Sequence, residues 1–106
     1  MRRSSLFAVL SACLFSACKS VEQNAPPVAQ LNTSHPDRCE QGRSVYTTVC
    51  ADCHGVKPVR SLTFTEWHGD TLPRMSRKAH LSPELEATVL AYIQAVLDTP
   101  LPEKQP

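Results

Sequence analysis

Aromatic residues make up only 6% of the 106 residues, too few to supply an ordinary apolar core of rings. Long apolar runs are missing as well. The longest, residues 6–17, is 12 residues, against the roughly 20 that a bilayer-spanning helix requires. Neither charge sign dominates: the formal net charge is +1, which excludes a polyanion-binding protein of the strongly basic kind and leaves no reason to expect nucleic acid as a partner. Internal repeats, a phosphate-binding glycine loop, an acid–base pair and an activated nucleophile are likewise absent from the sequence, so no substrate turnover by the chain alone is expected. Methionine occurs twice, at positions 1 and 75.

What is present begins with export. Met1-Arg2-Arg3 is a basic n-region, and residues 6–17 have the size of a secretory h-region. The segment closes on a cysteine: Phe15-Ser16-Ala17-Cys18 is similar to a bacterial lipobox, whose cysteine becomes lipidated and N-terminal. Leu10-Ser11-Ala12-Cys13 is the competing site, with a much shorter h-region. The expected division is therefore a signal at 1–17, a disordered tether at 18–36, a folded domain at 37–98 and a tail at 99–106. Pro26-Pro27 and the polar composition of the tether give it no periodic apolar face, so it should hold the domain a few nanometres from the membrane. Without Arg2 and Arg3, nine basic side chains face ten acidic ones.

Cys50-Ala51-Asp52-Cys53-His54 is a C-x-x-C-H run, the spacing that attaches a c-type haem. Two thiols on one turn can each form a thioether to a porphyrin vinyl group, and the next histidine can bind the iron from below. A dithiol redox pair or a zinc site that recruits Cys39 are the rival readings. The export signal, the histidine directly after the second cysteine and a downstream methionine favour one covalent haem. Met75 is the expected distal ligand, with His80 its rival; His35 and His68 are placed in the tether and on a surface helix. In so small a domain the haem would also supply hydrophobic mass that the chain lacks.

The helical pattern is all-α. Asp37-Arg38-Cys39-Glu40 has the form of a capping box, and an apolar or small stripe continues through Gly42, Val45, Tyr46, Val49, Cys50 and Cys53. Gly42 fits such a helix if another passes close to its backbone. Ser82-Pro83 starts the last helix, which carries an apolar face of Leu85, Val89, Tyr92, Ile93, Val96 and Leu97 and stops at Asp98-Thr99-Pro100. Between them one short helix is expected around residues 64–72, interrupted near Pro73.

These features together resemble the class I c-type cytochromes. Gly42, Tyr46 and Cys50 lie four apart as on that family's first helix, and Val89 and Tyr92 are similar to the apolar-x-x-aromatic pair of its last. The run Trp67 to Ala79, with Arg74-Met75, resembles the methionine-ligand stretch of small haem domains. The resemblance implies a compact cytochrome c fold in which the N- and C-terminal helices cross over one haem held by Cys50, Cys53, His54 and Met75. Tyr46, Trp67, Arg60 and Arg74 are expected near it, Trp67 either packed or donating to a propionate. The implied function is a periplasmic or otherwise extracytoplasmic electron carrier, anchored through Cys18 and serving redox partner proteins. A haem-based sensor of small ligands and the electron-exit subunit of a larger oxidoreductase are the alternatives. Cys39 is left either as a buried small hydrophobe or as a thiol for intermolecular pairing.

Overall fold

A computed structural model describes residues 21–101 except Cys53 and His54, and the side chain of Asp52. The expected signal segment, Cys13 and Cys18 lie outside the described residues. Every regular element among the described residues is helical. None of these helices is long and apolar enough to cross a membrane.

Helix α1 spans Pro36–Thr48 and helix α3 spans Pro83–Asp98. They cross at Gly42. A Cβ added there would stand 2.0 Å from the Thr88 carbonyl oxygen and 3.0 Å from the Tyr92 Cβ, so only glycine lets the two backbones meet. Tyr46, one turn on, packs against Tyr92 with ring centroids 6.1 Å apart. Cys39, one turn back, is buried with its Sγ 3.8 Å from the Ala91 carbonyl. Its burial favours the small-hydrophobe role over intermolecular pairing.

The Ser82-Pro83 start is as expected: the Ser82 hydroxyl accepts from the Leu85 N–H at 3.2 Å, and Glu84 and Glu86 place negative charge in the first turn. The start of α1 differs from expectation. Helix begins at Pro36, with His35 as N-cap, so Asp37 sits inside the first turn and makes no capping bond. Proline needs no N–H partner at the first helical position, which moves the boundary back by one residue.

Helix α2, residues 64–79, does not break at Pro73. Three segments run on without interruption: α-helical Phe64–Glu66, a π-helical turn Trp67–Thr71, and α-helical Leu72–Ala79. The Leu72 N–H reaches the Trp67 carbonyl, five residues back. Widening the helix just before Pro73 separates the proline ring from the preceding turn, whose carbonyl it would strike in a regular α-helix. Thr63 caps the start by accepting from the Glu66 N–H at 3.2 Å, and donates to the Glu66 carboxylate in return.

The third correction concerns the tether. Residues 24–32 lie on the domain, and two of them join its core. Ala25 and Val28 are buried. Arg43 Nε donates to the Ala25 carbonyl at 3.1 Å, the Tyr92 hydroxyl to that of Pro26 at 2.7 Å, and the Asn24 amide to that of Val56 at 3.0 Å. The Asn32 N–H donates to Thr99 Oγ1. Two small apolar side chains without helical period are enough here, because the hydroxyl and guanidinium beneath them take up carbonyls of the strap.

Two outcomes test this packing by denaturant titration of the matured protein. Gly42→Ala should cost about 3 kcal/mol or more, since the clash is with backbone and no rotamer relieves it. Val28→Ala should cost about 1–3 kcal/mol, where a free tether would show no change.

Candidate functional site

Cys50 follows α1 directly. Val49 caps that helix, and Cys50–Asp52 tightens into a 3₁₀ turn. The expected stripe therefore leaves the α-helix after Tyr46, and Val49 is 41% exposed instead of packed. Gly55, directly after the C-x-x-C-H run, adopts φ +77°, a left-handed backbone that suits glycine, and its N–H bonds the Ala51 carbonyl at 2.8 Å. Cys53 and His54 themselves lie outside the described residues.

Cys50 and Met75 meet on one cavity of about 300 Å³. Its other described lining residues are Val49, Lys57, Thr71, Arg74, Lys78 and Ala79. Thr71, Arg74, Met75 and Lys78 come from one face of α2, at i, i+3, i+4 and i+7. The neighbouring face carries Leu72 and Ser76 into the core. Met75 is partly buried, packs on the core and lines the cavity, so the core backs it on one side.

Trp67 fixes this helix. Its ring is buried, edge-on to Tyr46 at 6.0 Å, and its indole N–H donates to the Val59 carbonyl at 2.9 Å. Trp67 is thus a packing residue, and its N–H is already spent, which removes it as a propionate donor. Tyr46 donates its hydroxyl to the Lys57 carbonyl. Helices α1 and α2 accordingly grip the same connecting stretch, at Lys57 and at Val59. Burial, above all, holds the Tyr46 phenol well above the usual tyrosine range, with the nearby Tyr92 and Cys50 adding to the effect. Burial raises Tyr92 too, partly offset by the Arg43 guanidinium.

Of the remaining expected contacts, Arg74 lines the cavity, exposed and 3.5 Å from Asp70 in a surface ion pair worth about 0.5 kcal/mol or less. Arg60 does not join it. Its Nη2 donates to the Thr99 carbonyl at 2.6 Å, and it lines a different cavity, under the strap, with Glu22, Gln23 and Thr99. His80 is the left-handed C-cap of α2 (φ 55°), exposed and not among the residues that line the Cys50–Met75 cavity. His68 is exposed and stacks on Phe64. Sequence reasoning passed over Lys57, Thr71 and Val49 as site residues; the i, i+3, i+4, i+7 pattern around Met75 was the available signal for Thr71.

Chemically, the cavity pairs a thiol and a thioether with apolar walls and three cations, and its described lining includes no carboxylate. Soft sulfur donors suit a soft or borderline metal centre, and the cations suit an anionic group at the rim. No family model, curated protein or solved structure matches the chain.

An alkaline titration checks the buried phenols. Both tyrosines ionise near pH 10 in the unfolded chain and well above it when folded, so unfolding releases protons at high pH. Stability should be flat below about pH 10 and fall as the pH rises beyond it, with tyrosinate absorbance appearing together with unfolding.

Proposed function

We propose that this chain is a membrane-anchored, extracytoplasmic electron carrier of the class I cytochrome c type, holding one covalent haem c and catalysing no reaction of its own. The observation that carries the reading is the shared cavity: Met75 faces the space beside Cys50, the first cysteine of the C-x-x-C-H run. The close α1–α3 crossing at Gly42 and Tyr46–Tyr92 supports the same fold assignment.

The residues present fit the group. Cys50 and Cys53 would hold it by thioether bonds, and His54 and Met75 would bind its iron. Val49 and Ala79 offer it apolar surface, and Lys57, Arg74 and Lys78 offer cations for its carboxylates or for an acidic redox partner. When bound, the haem supplies a reversible one-electron couple. The protein's part is to keep that couple's surroundings the same in both oxidation states. Trp67, hydrogen-bonded and buried, holds α2 against Val59, and Tyr46 holds the Lys57 stretch, so Met75 has little freedom to swing away. A thioether ligand, compared with a second imidazole, favours the reduced state and raises the potential.

Absorption spectroscopy of the matured protein tests the proposal. The oxidised form should show the near-infrared sulfur-to-iron band, and Met75→Ala should abolish it while covalent haem is kept and carbon monoxide binding to the reduced form appears. A low-spin spectrum without the band would move the ligand to His80. A high-spin reduced wild type would move the function to ligand sensing. A protein without covalent haem would end the reading.

A further inference from the structure

We propose that residues 21–32 strap the domain flush against the membrane that anchors it, with the 55–61 segment facing the bilayer surface. The inference rests on the reading of Cys18 as the lipidated residue. Were residues 18–36 a free tether, the domain could move roughly 60 Å from its anchor. The structure shortens that reach sharply. Residues 21–24 are helical, the Ala25 N–H bonds the Val21 carbonyl at 2.8 Å, and from Asn24 onward the chain is fastened to the domain. Between Cys18 and Val21 the chain can cover at most about 11 Å.

The fastening points say which side is held down. Asn24 is tied to Val56, and Glu22 and Gln23 line a cavity of about 820 Å³ together with Arg60 and residues 99–101. The strap therefore enters beside the 55–61 segment and the C-terminal end of α3. Glu84, in the first turn of that helix, lies about 21 Å along its axis from the C-terminal residue Asp98. Val21 is an exposed apolar side chain where the strap enters, and Lys57 an exposed cation beside its Val56 latch. That pair suits an interface where acyl chains meet anionic headgroups. Lys57 also lines the Cys50–Met75 cavity, so this cavity has one rim toward the bilayer.

The test uses the full, lipidated, haem-loaded protein in liposomes that contain a nickel-chelating headgroup lipid. A nitroxide is placed at Ser61→Cys or at Glu84→Cys, both exposed positions, while Cys39 is buried. Spectra are taken with and without nickel, so that relaxation by the haem iron cancels, and mass spectrometry reports which cysteine carries lipid. Relaxation by the headgroup nickel should be severalfold stronger at position 61 than at 84. Inserting about ten Gly/Ser residues between Lys19 and Ser20 should erase the difference. Equal relaxation in the protein lipidated at Cys18, or a difference that survives the insertion, overturns the orientation and leaves the anchoring intact. Lipid on Cys13 lengthens the leash and overturns it too, and absence of lipid removes both.

Discussion

Two helix backbones touching at one glycine set the terms for the rest of this molecule. Because Gly42 has no Cβ, the carbonyl of Thr88 can come where a side chain would otherwise stand. The contact fixes which residues of α1 and α3 oppose one another: Tyr46 meets Tyr92, and Cys39 meets the Ala91 carbonyl. With so few aromatic rings in the chain, placing Tyr46, Trp67 and Tyr92 side by side is how the domain obtains a solid centre. The three are buried, and each hydroxyl or indole N–H ends on a backbone carbonyl of another segment. A ring that is apolar along its body and polar at its tip can thus both fill the core and hold a loop down.

From that centre the sulfur-lined cavity follows by position. Cys50 emerges one helical turn beyond Tyr46, and Met75 lies on the helix that Trp67 anchors. Both residues are positioned from deeper in the domain: Cys50 follows the helix that carries Tyr46, and Met75 lies on the one that carries Trp67. For the proposed electron carrier such packing would matter, since a ligand held rigidly would change little when a metal gains or loses an electron.

How much of this was legible in the sequence depended on the kind of signal. Ser82-Pro83 carries its physics locally, in a hydroxyl and a missing N–H, and the last helix begins there. Gly42 was legible because a glycine inside an apolar helical stripe has few other reasons to be present. The strap was not, because Ala25 and Val28 are two small apolar residues without period, and what fastens them is Arg43 and Tyr92, distant in sequence. The continuity of α2 was hidden for a different reason. Thr63 and Glu66 advertise its start, but Pro73 reads as a stop unless the turn before it is known to widen. Arg60, a cation near the motif in sequence, is turned toward Thr99 by contacts that no spacing rule contains.

The widened turn has a consequence for how such chains are compared. In a regular α-helix, residues five apart point about 140° away from each other, whereas residues four apart differ by about 40°. Trp67 and Leu72 are five apart, yet both are buried in one core, because the π turn absorbs the surplus residue. A chain one residue shorter between them would form an ordinary helix with Met75 presented on the same side. The number of residues separating the C-x-x-C-H run from Met75 could therefore differ by one without any change in what Met75 faces.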